Sequence, residues 1–136
     1  MNLDINIYVI LGILFMHWVA DFVCQTDWQA SNKSTNMIAL LMHTGTYSFI
    51  WFPMMILIWA MENTTLLSTG HPSELLKFAG LFTIITFIVH TITDYFTSRL
   101  NTKLHQKGDI HNFFVSIGFD QWLHYIQLFV TYLILR

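Results

Sequence analysis

The fold class is decided by residues 75–98, LLKFAGLFTIITFIVHTITDYFTS, a long apolar stretch that contains Lys77, His90 and Asp94. A helix needs about 20 predominantly apolar residues to cross the hydrocarbon core of a bilayer, and this stretch has that length. Similar stretches occupy residues 5–24, 37–61 and 113–135. Lipid cannot satisfy free backbone groups, so spanning segments are expected to be helical. The sequence therefore predicts one all-α domain, residues 1–136, built as an integral membrane bundle of four transmembrane helices.

The composition supports lipid as the solvent. Of the 136 residues, 54% are hydrophobic and 10% are charged, whereas an average soluble domain has about 25% charged residues. A soluble domain this short could not bury so much apolar surface, because small domains leave a large share of their surface exposed. The net charge of -2 excludes nucleic acid as a partner, since binding it requires a basic patch.

The orientation follows from the lysines and arginines of the short connectors, which favour the cytoplasmic side. The first and third connectors carry Lys33, Arg99, Lys103 and Lys107, whereas the opposite side carries Lys77 and Arg136. We therefore expect a multi-pass protein of the inner cell membrane. Both termini are predicted outside, with the first and third connectors in the cytoplasm.

Ionisable residues inside the predicted spans indicate a functional site. An ionised aspartate costs about 2.5–3.5 kcal/mol at the centre of a membrane helix, so such residues are rare there. Three spans carry a histidine and an aspartate four residues apart, a spacing that places both on one helix face. The pairs are His17 with Asp21, His90 with Asp94, and Asp120 with His124; the second span adds His43. Because successive helices alternate in direction, all seven residues fall in the cytoplasmic half of the membrane.

Weaker polar residues continue the same faces at helical spacing. They are Thr83, Thr86 and Thr97 in the third span, Ser116, Gln127 and Thr131 in the fourth, and Asn36 and Tyr47 with the second. We expect each stripe to face the interior of the bundle and the large apolar residues to face lipid.

This combination predicts a metal site, because imidazole and carboxylate groups are good ligands for zinc, and also for iron or manganese. The candidate ligands are His17, Asp21, His43, His90, Asp94, Asp120 and His124. A metal-dependent hydrolase would use Asp21 or Asp120 as its general base. Its partners would be membrane lipid and a lipid-linked or small-molecule substrate that arrives from the cytoplasmic leaflet. Association with further copies of the chain stays open.

Two other functions fit the same residues. Histidines and aspartates in sequence also relay protons in membrane transporters, so a proton or metal-ion transporter is one alternative. The other is a non-enzymatic membrane protein in which the polar residues, or a bound metal, only fix the packing of the helices. Residues just beyond the first span either contact a polar head group or cap helix ends; they are Gln25, Asp27, Trp28 and Lys33.

The motifs together resemble the uncharacterised bacterial and phage membrane family known as domain of unknown function 3307. The matching residues are His17-x-x-x-Asp21-Phe22-x-x-Gln25-Thr26-Asp27-Trp28-x-x-x-x-Lys33, His43, His90-x-x-x-Asp94 and Asp120-Gln121-x-x-His124. The resemblance covers nearly the whole chain and implies a small polytopic membrane protein without an established activity. More distantly, the His-x-x-x-Asp pairs are similar to those of membrane-bound metal-dependent hydrolases, which favours the metal site over the relay.

Overall fold

A computed structural model describes residues 5–62 and 72–136 of the chain. All the regular structure in these two ranges is helical. The α-helices are α1 Ile7–Trp18, α2 Asp27–Asn32, α3 Met37–Glu62, α4 Pro72–Gln106 and α5 Ile110–Leu135, and a π-helical turn, Val19–Val23, continues α1. Most of the predicted second connector lies outside the described residues.

Local signals in the sequence set several helix ends. The α2 helix begins with a capping box, in which Thr26 Oγ1 accepts the Gln29 N–H at 3.2 Å and Gln29 Oε1 accepts the Thr26 N–H at 2.9 Å. Asn36 caps α3, since its side-chain oxygen accepts the N–H of the second helical residue. Gly108, at a φ of 71°, supplies the left-handed residue that ends α4. Asp109 then caps α5.

The apolar core occupies one half of the bundle. The α3 helix packs against α4, and α4 packs against α5. Fully buried aromatic and aliphatic side chains fill the space between them, chiefly Trp51, Met55, Phe82, Leu128 and Tyr132. The ring centroids of Trp51 and Phe82 lie 5.7 Å apart. This half holds the long helices in fixed register, because close-packed interiors resist displacement of their side chains.

The other half of the interior is polar. The predicted stripes of the third and fourth spans turn inward, and their members are at most 9% exposed: Thr86, His90, Asp94, Thr97, Ser116, Asp120, His124, Gln127 and Thr131. Only Thr83 is half-buried. Large apolar side chains such as Phe49, Phe96 and Ile134 point outward instead. The molecule therefore buries many polar residues in addition to its apolar core, and it exposes many large apolar side chains.

Two of the described helices are long and apolar enough to cross a membrane, Met37–Glu62 and Ser73–Gln106, and Ile7–Val23 is a shorter apolar helix. Only 33% and 28% of their most apolar windows are buried in the molecule. A core helix of a soluble protein would be mostly buried.

The α4 helix is longer than the apolar stretch that predicted it. It continues from residue 98 to Gln106, so Arg99 and Lys103 lie on a helix and the third connector shrinks to residues 107–109. Hydropathy identifies only the apolar segment that could lie in the hydrocarbon core. The polar residues that follow this segment can continue the same helix. No glycine or proline occurs between Ser98 and Gly108, and the helix ends at Gln106, two residues before Gly108.

The packing of the apolar half can be tested with a pair of matched substitutions. Phe82→Ala should lower the free energy of unfolding by about 3–5 kcal/mol, because it leaves a cavity in a close-packed core. Phe49→Ala should have little effect, since that ring is 73% exposed. Denaturant titration of the purified protein in detergent measures both. Equal losses for the two variants would contradict this account of the core.

Candidate functional site

All seven predicted site residues lie together in the polar half of the bundle. Four segments supply them: α1 with its π-helical turn, α3, α4 and α5. The residues are His17, Asp21, His43, His90, Asp94, Asp120 and His124, and none is more than 9% exposed.

The π-helical turn carries Asp21. The Cys24 N–H donates to Val19 O at 2.9 Å, the five-residue spacing that defines the widened turn. Within the turn, Asp21 is 4% exposed and faces His43. Isolated π-helical turns occur frequently at functional sites, because they re-aim one side chain without ending the helix.

A first group of ligand atoms comes from Asp21, His43 and His90. The His43 Nε2 atom lies 3.1 Å from Asp21 Oδ1 and 3.3 Å from His90 Nε2. The third separation, between His90 Nε2 and Asp21 Oδ1, is 3.7 Å. Asp21 Oδ1 accepts no well-aligned hydrogen bond from the described residues. Three ligand atoms therefore face one another across a narrow space.

A second group shares His90 with the first. The His124 Nε2 atom lies 3.2 Å from Asp94 Oδ1, and His90 Nε2 lies 3.6 Å from the same oxygen. The rings of His90 and His124 stack with their centroids 4.1 Å apart. In each group the ligand atoms all lie within 4.8 Å of one another.

These spacings suit a metal ion. Metal–ligand bonds of about 2.0–2.2 Å place neighbouring ligand atoms of a tetrahedral site about 3.3–3.6 Å apart. Five ligand-atom separations within the two groups run from 3.1 to 3.7 Å. The donor set, imidazole nitrogen with carboxylate oxygen, is the one that zinc, iron and manganese accept. These five residues could therefore hold a divalent metal.

His17 stands beside this set and not within it. Its Nε2 atom lies 2.8 Å from Gln121 Oε1 and its Nδ1 atom 2.8 Å from the Tyr47 hydroxyl, while Asp21 Oδ2 is 3.9 Å away. A single arrangement satisfies every group: Tyr47 donates to Nδ1, and the Nε2 proton is donated to Gln121. Both ring nitrogens are then engaged. His17 was predicted as a ligand; in the structure its ring nitrogens contact Tyr47 and Gln121, and it belongs to neither group of three ligand atoms.

Gln121 joins two of the carboxylates. Its Nε2 donates to Asp21 Oδ2 at 3.2 Å and to Asp120 Oδ2 at 3.1 Å. The other Asp120 oxygen, Oδ1, lies 3.4 Å from His124 Nε2 and accepts no well-aligned hydrogen bond from the described residues. Asp120 therefore accepts a hydrogen bond through Oδ2 from Gln121, whereas its Oδ1 lies beside His124 at the edge of the two donor groups.

Lys33 enters the site from the end of α2. Its ammonium lies 2.8 Å from Asp94 Oδ2 and 3.2 Å from His43 Nε2. Burial opposes the charge on Lys33, but the carboxylates of Asp94 and Asp21 outweigh it and raise the pKa of the ammonium. Lys33 was expected to contact a head group or cap a helix. In the structure it forms an ion pair with Asp94, while 20% of its side chain stays exposed.

The charges of the site leave a deficit of two positive charges. Three carboxylates, Asp21, Asp94 and Asp120, face one ammonium, that of Lys33. A dry interior requires charges to be paired. One divalent cation with every imidazole neutral would complete the balance, and so would two added protons, on imidazoles or on carboxylates.

Sequence reasoning missed the roles of Gln121, Tyr47 and Lys33. Gln121 follows Asp120 directly, and neighbouring positions on a helix point about 100° apart, so helical spacing gave no reason to place both side chains in one site. Gln121 and Lys33 do stand in the motifs quoted above, which was the available signal. Tyr47 was placed on the inner stripe of its helix without a partner.

A family model described as "Protein of unknown function (DUF3307)" matches residues 9–136. Searches of the curated proteins and of the solved structures found no match.

The Lys33–Asp94 ion pair can be measured by a double-mutant cycle. Lys33→Met and Asp94→Asn should each destabilise the protein, and their coupling should be about 1–3 kcal/mol, because removing one partner leaves the other buried and unpaired. The matched cycle of Lys103→Met with Asp94→Asn should be additive, since Lys103 is exposed. Unfolding in detergent gives all the values. Additivity in both cycles would show that Lys33 does not pair with Asp94.

Proposed function

We propose that this chain, which belongs to the DUF3307 family, is an integral membrane protein of four spans that binds a divalent metal and hydrolyses a lipid or lipid-linked substrate. The observation that carries the proposal is the pair of donor groups that share His90, in which five ligand-atom separations are 3.1–3.7 Å. When the carboxylate of Asp120 is counted with those of Asp21 and Asp94 and with the Lys33 ammonium, the charge deficit equals the charge of one divalent cation.

The exposed surface supports four spans. The α5 helix has 26 residues, enough to cross a bilayer, and its low hydropathy comes from residues that are buried, namely Asp120, His124 and Gln127. Its outer face is apolar and includes Phe119 and Trp122. The α1 helix with its π-helical turn forms the shortest span. The same arrangement supports the inner membrane as location, with the polar half of the bundle toward the cytoplasm.

The donors divide into ligands and a base. His43, His90 and His124 with Asp21 and Asp94 would hold the metal, and zinc suits this mixture of nitrogen and oxygen donors best. Bound there, the metal would supply a water of lowered pKa and polarise the scissile group. Asp120 takes the role of general base, because its Oδ1 accepts no well-aligned hydrogen bond from the described residues and lies beside His124.

Hydrogen bonds from the surrounding residues would keep the base in place. Gln121 restrains the second oxygen of Asp120 and, through the same amide, Asp21. His17 and Tyr47 fix Gln121 in turn. In the reaction Asp120 would accept the proton of the attacking water, whose oxygen forms the new bond as the bond to the leaving group breaks.

One observation favours a second function, a proton relay. A hydrogen-bonded path runs from Tyr47 through His17 and Gln121 to Asp21 and Asp120. Such chains carry protons in membrane transporters. In that case two protonated imidazoles would replace the metal in the charge balance.

Thermal melting with and without a chelator separates the two functions. A ligand of the folded state stabilises by mass action, so a strong chelator should lower Tm and one particular divalent ion should restore it. Asp94→Asn should weaken the recovery, because it removes one ligand and one charge. Asp27→Asn, the same change at an exposed position, should recover like the native protein.

Activity and flux measurements complete this test. A hydrolase should release product from lipid esters only when the metal is present, and Asp120→Asn should abolish turnover while metal-dependent stability persists. Proton flux into liposomes that depends on Asp94 and ignores chelators would instead establish the relay. A melting curve that responds to neither chelator nor metal would overturn the metal site and the hydrolase together.

A further inference from the structure

A polar cavity opens beside the donor site, at the end of the bundle where α2, α4 and α5 meet. Its volume is about 350 Å³. The residues that matter most in its wall are Ser31, Lys33, Ser98, Asn101, Thr102 and His105. It lies at the end that carries Lys33 and Lys103, which the loop charges assign to the cytoplasm.

Two polar atoms of the cavity wall are without a partner. Ser98 Oγ and Asn101 Oδ1 are buried, and neither has a hydrogen-bond partner among the described residues. Ser98 is 9% exposed. Buried polar groups are nearly always bonded to protein, water or ligand. Water or another polar molecule would be needed to satisfy them.

The residues of the wall favour an anion over a cation. Lys33 carries the permanent positive charge of the described wall and shares it with Asp94, and none of the described residues that line the cavity is acidic. Hydroxyl groups of serine and threonine, the Asn101 amide and the His105 ring add neutral donors. An ammonium surrounded by several neutral donors matches a phosphate group, which offers several acceptor oxygens.

Lys33 links the cavity to the donor site. Its Nζ atom is 2.8 Å from Asp94 Oδ2, and yet its side chain remains 20% exposed and lines the cavity. An anion in the cavity could therefore contact the same ammonium that neutralises Asp94. A substrate bound in this way would have its charged group within a few ångströms of the donor atoms.

We infer that this cavity binds the phosphate of a phosphate ester, either the head group of a lipid or a soluble phosphate compound. Its role as a substrate subsite rests on the proposed hydrolase function, whereas phosphate binding itself does not require the metal. Lys33 is then a specificity-determining residue. It holds the phosphate on one side and Asp94 on the other.

Calorimetric titration of the purified protein in detergent, with a chelator present throughout, tests the inference. The probes are inorganic phosphate, dihexanoyl phosphatidic acid and dihexanoylglycerol, which lacks the phosphate. Phosphatidic acid should bind and the glyceride should not. Lys33→Met should weaken phosphatidic acid binding by about tenfold or more, because one charge-assisted contact is lost. Lys103→Met, the same change on an exposed lysine of α4, should leave it unchanged.

A second variant guards against misfolding of Lys33→Met. Asn101→Leu removes the side-chain amide N–H donors at the wall and should weaken phosphate binding several-fold with the Lys33–Asp94 pair intact. Equal binding of phosphatidic acid and glyceride, or equal affinities for Lys33→Met and Lys103→Met, would overturn the inference. Binding of inorganic phosphate as tightly as the lipid would assign the cavity to soluble phosphate compounds.

The test also separates this inference from the proposed function. Phosphate binding that needs added metal, or that His90→Ala abolishes, would place the anion on a metal ion and not in the cavity, which overturns the inference while supporting the metal site. Phosphate binding in a protein that binds no metal would support the cavity and remove the hydrolase. The two proposals can therefore fail independently.

Discussion

Three carboxylates buried in the interior of a helical bundle are the constraint on which the rest of the structure depends. An ionised carboxylate without a partner is costly in a low-dielectric interior. Asp94 forms an ion pair with the Lys33 ammonium, whereas Asp21 and Asp120 each accept a hydrogen bond from the Gln121 amide. The short α2 helix is needed because it brings Lys33 inward from the surface. Four imidazoles then complete the polar half of the bundle, and two positive charges remain to be supplied.

One half of the interior contributes apolar packing, and the other half contains the donor atoms of the candidate site. Apolar packing around Trp51 and Phe82 fixes α3, α4 and α5. Tyr47 stands between the halves: its ring stacks on His90 with centroids 3.9 Å apart, and its hydroxyl contacts His17. A rigid apolar half can hold donor atoms at separations of 3.1–3.7 Å, because close-packed helices do not drift. The donor atoms are held in place by the buried apolar side chains that pack beside them.

How much could be predicted depends on the range of the interactions. Helical periodicity placed His90 with Asp94 and Asp120 with His124 on inner faces, because residues four apart share a face. It could not find Gln121, whose role depends on a contact across helices. Nor could it predict that the two ring nitrogens of His17 would contact Tyr47 and Gln121. The length of α4 beyond residue 98 was missed because the apolar stretch ends at that residue, whereas the helix continues through polar residues to Gln106. The next helix-breaking residue in the sequence is Gly108.

The central claim is that one divalent metal lies among the three imidazoles and two carboxylates. X-ray absorption at the edge of the bound metal measures this most directly, because it counts imidazole ligands and gives their distances. The account predicts nitrogen and oxygen ligands at about 2.0–2.2 Å with imidazole scattering, and the loss of one imidazole in His90→Ala. Protein purified without chelator that carries no stoichiometric metal, or a spectrum unchanged in His90→Ala, would contradict it.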